Sequence, residues 1–387
     1  MRRRELVASA LYAAILAETQ VAHSALLPPS SFLTGLNHAQ DDHALHLHEE
    51  SIVINCHDHM WRLQDYVDMS NGGVTLKIYK PLADGIYWDD MNRRVFPADP
   101  FDWTAKYLEA VEKVEAIEKS GQPPLLIIRK LEDVSRLKRE RKIGVILGNE
   151  GSLPLGESLE RFEQLYQRGL RELAPYWPAG NHTRHVLDQQ GNLTTFAKHL
   201  IEKASTLGVV LDSSHLAAAP AFRQLLELSK GPVIHTHGAA RFPRTRAVSE
   251  GDLEDDQIRA IANKGGIIGL HFCTYIRNLN GWYWSPTVDD LVDHVEYLVK
   301  VGGIDCVGIG ADHFPYNSKP IMKPFQESAG AQIEDRDWGK TFVVGLHKIS
   351  AMPLFTQALV SRGFPDGDIR KILGLNALRV LKEAWKA

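Results

Sequence analysis

At 387 residues, with 44% hydrophobic and 24% charged side chains, the chain holds enough apolar material for a sizeable core and lacks the bias of a disordered or fibrous protein. A formal charge of -4, with Lys and Arg scattered along the chain, excludes the basic stripe that a nucleic acid requires and points to a small-molecule partner. The three cysteines, Cys56, Cys273 and Cys306, each lie in or beside an apolar run, which suits reduced, buried thiols and not a disulfide framework.

The N-terminal stretch MRRRELVASALYAAILAETQVAHSA has a basic start, a middling apolar stretch and a small-x-small site at Ala22 to Ser24, the pattern of an export signal. Glu5 interrupts the flank, however, and Leu6, Ala10, Ile15 and Leu16 equally suit a surface helix. A cytoplasmic location is therefore expected, with export to a periplasm as the alternative. Residues 1–50 are set apart as this N-terminal segment, and His43, His46 and His48 within it are expected at the surface. No other stretch approaches the roughly 18 apolar residues of a membrane helix, so no transmembrane span is expected.

From residue 51 onward, short apolar runs bounded by turn residues recur at Ile52–Asn55, Val74–Tyr79, Ile143–Leu147, Leu170–Pro175, Val209–Asp212, Val233–Thr236, Ile267–Phe272 and Val307–Gly310. Most are separated by segments of helical spacing, such as SLERFEQLYQRGL, TTFAKHLIEKASTLG and VDDLVDHVEYLVKVGG, and several of these end in glycine. Eight strand-then-helix units predict an α/β fold of the closed (β/α)8 TIM-barrel type, one domain over 51–387. Lys80 to Lys142 has room for an inserted excursion and a helix, and the stretch from His313 to Lys340 reads as a long loop. The tail from Met352 reads as two helices, broken between Gly363 and Gly367, on the outside of the barrel.

The polar residues gather where these strands end. His57 and His59 follow the first run, Glu150 the third, His215 the fifth, His237 the sixth and Asp312 the eighth, all on the side where barrel enzymes place their chemistry. Imidazole nitrogens and carboxylate oxygens are what a divalent metal such as zinc accepts, and one residue between two histidines of an extended chain returns both to one face. Asp212 and His235 read as buried polar residues or as partners that hold a ligand's ring, and the Asp58 side chain is expected to face away from that of His57.

The segments CHDHMW, LGNEGS, LGVVLDSSHL, GPVIHTHGAAR, DDQIRAIANKGGIIGLHF, GIDCVGIGADHF and RGFPDGDIRKILGLNALRV, taken in order, resemble the membrane (renal) dipeptidases of the amidohydrolase superfamily over about residues 50 to 383. The resemblance implies a barrel with two divalent metal ions, zinc (Zn2+), bridged by a glutamate. His57, residue 59 and Glu150 would hold one, and Glu150, His215 and His237 the other. It implies hydrolysis of a dipeptide or dipeptide-like amide by a metal-bridging hydroxide, with Asp312 as proton shuttle, and assembly as a homodimer.

Two departures stand out. His59 replaces the aspartate of the family's His-x-Asp motif, exchanging a negative ligand for a neutral one. At the end of strand four, Tyr176 or Trp177 stands where mammalian members carry a histidine that touches the scissile carbonyl, with His182 a substitute from the loop. For the arginine that pairs with the substrate carboxylate, RFPRTR offers Arg241, Arg244 and Arg246, of which Arg246 is favoured. The alternatives are other amidohydrolase-type chemistry, a non-peptide amide hydrolase or a decarboxylase, and a non-catalytic barrel.

Overall fold

The computed structural model describes residues 38–89, 94–178, 184–242, 252–273, 286–314 and 342–385. The N-terminal 37 residues, with the expected signal or surface helix, lie outside the described residues, as do His182, Arg244, Arg246 and most of the loop after His313.

Eight parallel strands form the centre: β1 Ile54–Asp58, β2 Leu76–Tyr79, β3 Ile143–Leu147, β4 Glu172–Leu173, β5 Val210–Leu211, β6 Ile234–Ala240, β7 Ile267–Leu270 and β8 Val307–Ile309. β3–β2–β1–β8–β7–β6 is a continuous ladder, and β4 pairs with β5. Two single bridges join the pieces, Leu147 with Leu170 and Asp212 with Ile234. The Arg171 amide donates to Leu147, and the Ser213 amide to Ile234. Every strand thus has a partner on each side, and the ring closes as the alternation of strand and helix predicts. Both faces of a parallel barrel strand are covered, which is why β1 and β6 are buried along their whole length despite six polar residues, Asn55, His57, Asp58, His235, Thr236 and His237.

The helices between strands start and stop on local signals. Thr194 caps Thr195–Leu207 by accepting from the Ala197 amide, and Gly208 ends that helix at φ 71°, a conformation glycine takes without a Cβ penalty. The last helix, Asn376–Ala384, closes the N-terminal end of the barrel, where Ala377, Leu381 and Ala384 pack with Ile54, Leu76, Val210, Ile234 and Ile267. The tail otherwise follows its expected division, with Pro353–Ser361 and then Asp366–Arg370 running into Asn376–Ala384 through a wider turn.

One feature goes beyond expectation and one against it. Between β2 and β3 the excursion contains a small antiparallel sheet, Leu82–Ala83, Ile86–Trp88 and Arg94–Val95, and a helix Trp103–Ser120. It continues with a strand Leu125–Ile127 beside β3 and a helix Leu131–Glu140. And His48, expected at the surface, is buried: it lies on the helix His38–Glu50, whose inner face meets Pro353–Ser361, and its ring nitrogens reach Thr356 Oγ1 at 2.7 Å and the Gly72 carbonyl at 2.9 Å. His43 and His46 are exposed as expected.

Candidate active site

The mouth at the C-terminal ends of the strands gathers the polar residues. His57 lies within β1 and not after it, at a register shift against β2 between Asn55 and Asp58, and His237 lies at a matching shift in β6 between His235 and Gly238. Such bulges turn a side chain that regular pleating would place elsewhere, and here they aim both rings into the mouth. Glu150 is held by the small antiparallel sheet: its amide donates to Leu82 O at 3.2 Å and its carbonyl accepts from the Asp84 amide at 2.9 Å. His215 and Asp312 sit at φ 64° and 55°. Left-handed backbone in a residue with a Cβ is costly and collects at functional sites.

These elements bring His57, His59, Glu150, His215 and His237 together, with four imidazole Nε2 atoms around one carboxylate. Glu150 Oε1 lies 2.7 Å from His215 Nε2, 3.6 Å from His237 Nε2 and 3.6 Å from His57 Nε2, while Oε2 lies 3.3 Å from His59 Nε2. The two groups expected to hold a metal, His57 with His59 and Glu150, and Glu150 with His215 and His237, are each close enough to share one ion. Asp312 Oδ1 stands 3.6 Å from His57 Nε2 and 3.7 Å from His59 Nε2.

The donor set fits divalent metals. His59 Nδ1 lies 2.8 Å from the Lys80 carbonyl, which only accepts, so Nδ1 carries the proton and Nε2 keeps its lone pair. His57 Nε2 faces that lone pair at 3.2 Å with its own Nδ1 engaged by Thr236 Oγ1 at 2.9 Å, and His215 Nε2 and His237 Nε2 face each other at 3.1 Å. The converging lone pairs of His57 and His59 repel unless a cation lies between them. Burial, then His237, holds the His57 ring well below the ordinary imidazole range; burial, then His215, does the same for His237. Burial alone would raise the Glu150 carboxyl, but His57 and the hydrogen bond from His215 outweigh it and hold the group well below the ordinary carboxylate range. Neutral rings and an ionised carboxylate are the forms that ligate metal.

Around this set stand residues of which several carry no sequence signature. Trp88 lies over the His59 ring, centroids 4.2 Å apart, and buried Trp177 meets His215 at 6.2 Å. Of the two aromatic candidates at the end of strand four, Trp177 reaches the site, whereas Tyr176 is half-buried against the main hydrophobic core. Arg241 pairs with Glu254 Oε1 at 2.5 Å. Asp58 turns away from the set, as expected, to Lys77 Nζ at 2.8 Å. Lys80 is fully buried between Glu172 Oε1 at 2.6 Å and Asp212 Oδ2 at 3.2 Å, and burial pushes the Glu172 carboxyl up to about 8. A second group, His271, Cys273 and Asp312, adjoins the first, with Cys273 Sγ 3.7 Å from Asp312 Oδ2. A lysine ending an apolar strand, as in LKIYK, was the one available hint of the buried ion cluster.

The family model of the membrane dipeptidases, peptidase family M19, matches residues 41–321 and 334–387. The chain is 26% identical over 318 residues to dipeptidase 3 of Mus musculus and 26% identical over 336 residues to dipeptidase 3 of Macaca fascicularis. Those alignments take in 78% and 84% of this chain but 56% and 61% of the relatives, so the chain spans little more than half of their length. Among solved structures, an amidohydrolase from Pseudomonas aeruginosa superimposes with TM-score 0.74 at 21% identity, over 89% of this chain and 99% of that one. A metallopeptidase from Rhodobacter sphaeroides, solved with a phosphinate mimic of the dipeptide L-Ala-D-Ala, superimposes with TM-score 0.66 at 20% identity, over 87% of this chain and the whole of that one. These likenesses establish a shared fold, and the extent of the family match establishes membership: the chain belongs to the membrane dipeptidases, peptidase family M19.

Proposed function

We propose that the chain hydrolyses the amide bond of a dipeptide or dipeptide-like substrate with two divalent metal ions, zinc in the simplest case. His57, His59 and Glu150 would hold one ion, and Glu150, His215 and His237 the other. The observation that carries this reading is Glu150: its two oxygens serve two histidine groups, Oε2 toward His59 and Oε1 toward His215. Bound there, the ions would acidify water and polarise a carbonyl.

The chain's own groups supply the rest. Asp312 would take a proton from the attacking water and return it to the leaving amine, a role supported by its Oδ1 lying within 3.7 Å of both His57 Nε2 and His59 Nε2. Trp88 and Trp177 flank the two histidine groups with buried aromatic surface, which keeps bulk water from the reacting bond. A free substrate carboxylate calls for an arginine fork, for which Arg246 and then Arg244 are the candidates, with His182 as a further substrate contact and Trp177, not Tyr176, as the aromatic one. The dipeptide mimic bound to the Rhodobacter sphaeroides metallopeptidase supports the substrate class.

The test is amine release from a panel of L-L, L-D and Gly-containing dipeptides, with zinc, with chelator and with zinc restored. Zinc-dependent release is expected, and Asp312→Asn should retain metal while losing about 100-fold or more in turnover. No amine from any member of the panel, or carbon dioxide released in its place, would sink the peptidase reading; unchanged turnover in the variant would remove Asp312 from its role.

A further inference from the structure

Thr236 lies between one histidine of each ligand group, and its hydroxyl has one hydrogen to give and two lone pairs to accept with. Oγ1 is 2.5 Å from Asp212 Oδ2, 2.9 Å from His57 Nδ1 and 3.2 Å from His237 Nδ1, with Ser214 Oγ also at 3.2 Å. Asp212 is surrounded by donors: Oδ1 accepts the amides of Ser214 at 2.8 Å and Thr236 at 3.0 Å, and Oδ2 faces Lys80 Nζ at 3.2 Å. A carboxylate so placed accepts from every side. The Thr236 hydrogen therefore goes to Oδ2, and the oxygen presents its lone pairs to the ring N–H groups.

We propose that Asp212 and Thr236 are positioning residues that fix the tautomer of two metal-site histidines at once. By taking the hydroxyl hydrogen, Asp212 makes Thr236 an acceptor for the Nδ1–H of His57 and of His237, and the Nε2 lone pairs of both rings are left toward Glu150. The shorter contact makes His57 the more dependent of the two. His59 reaches the same tautomer by a separate route, the Lys80 carbonyl, and so serves as an internal control. His57, Asp212 and His237 also approach one another closely enough to share an ion, but Thr236 Oγ1 is already within hydrogen-bond reach of all three. The sense of the hydrogen bonds is what matters, because Asp212→Asn reverses it. With the amide oxygen held by the two backbone N–H groups, the new NH2 donates to Thr236, the hydroxyl turns its single hydrogen to the nearer ring, His57, and the proton of that ring is forced onto Nε2, where it blocks ligation.

The value of the relay to the enzyme rests on the two-metal reading, and the experiment separates them. Zinc titration of the full chain is paired with two-bond nitrogen–proton spectra of the histidines in chelator-treated protein at neutral pH, for the native chain and for Thr236→Ser, Thr236→Val and Asp212→Asn, each shown to be folded by circular dichroism. Native protein and Thr236→Ser should bind alike, with His57 and His237 as Nδ1–H tautomers. Thr236→Val and Asp212→Asn should lose about 10- to 100-fold in zinc affinity, the range for partners of ligand histidines. In Asp212→Asn, His57 should also move to the Nε2–H form while His59 does not. A folded Asp212→Asn with native affinity, or an Nε2–H His57 in the native chain, overturns the proposal. Should Asp212→Asn fail to fold, Thr236→Val binding as well as Thr236→Ser overturns it. Native protein that takes up no zinc yet shows the stated tautomers would refute the metal reading and leave the relay standing.

Discussion

His235 and His271 sit fully inside the barrel, where burial depresses the ring to about 4 for the first, with Asp212 opposing, and to about 3 for the second, with His294 adding to the effect. Unfolded, each ring titrates near 6.5. Below that pH the unfolded chain takes up protons that the folded chain refuses, so stability is full above it and is lost as pH falls toward the folded values. Each ring costs about 1.4 kcal/mol per pH unit within that window. Chelator-treated protein should therefore show a falling urea midpoint from pH 6.5 down to about 4, and His235→Asn should show a shallower fall. Parallel curves for native and variant would show that His235 is not held neutral. His215 and Asp312 add a cost of another kind: their left-handed backbone, on the order of 1 kcal/mol each, is stability given up where Nε2 and Oδ1 must be aimed at the mouth.

At the scale of elements, the site depends on how closely β6, β7 and β8 approach. Gly269 in β7 and Gly310 just after β8 face the Thr236 carbonyl, and a Cβ at either position would fall inside the contact distance of that oxygen. Both neighbours are backbone, so relief requires a strand to move. Gly310→Ala should lower stability by about 1 to 3 kcal/mol, as overpacking does, and weaken zinc binding because Thr236 and His237 move with β6. A denaturation midpoint equal to that of the native chain would contradict this. The small antiparallel sheet has a comparable role on the opposite side of the mouth. Its first strand pairs Ala83 with Glu150, and its second carries Trp88 over His59.

At the scale of the molecule, what could be read in the sequence was what has a period or a spacing. The eight apolar runs match β1 to β8, and the metal-competent residues just beyond them meet at one mouth, because the side of a barrel on which a residue emerges follows from strand direction alone. The helix ends were equally legible, Gly208 among them. What escaped lacks such a signal. The strands Leu82–Ala83 and Arg94–Val95 are two residues each, too short to show alternation. His48 is buried by Thr356, more than three hundred residues away, and its own helix shows no strong apolar stripe. Thr236 and Lys80 act through hydrogen bonds whose partners come from other strands. Among the described residues no helix is long and apolar enough to cross a membrane.

The measurement that tests this account most directly is the number of metal ions per chain in the native protein and in Glu150→Gln, by elemental analysis after zinc loading and dialysis. Because Oε1 and Oε2 serve different histidine groups, the account predicts two ions in the native chain and loss of both in the variant with the fold intact. One ion or none in the native chain, or a folded Glu150→Gln that keeps both, would contradict a centre built around a shared carboxylate.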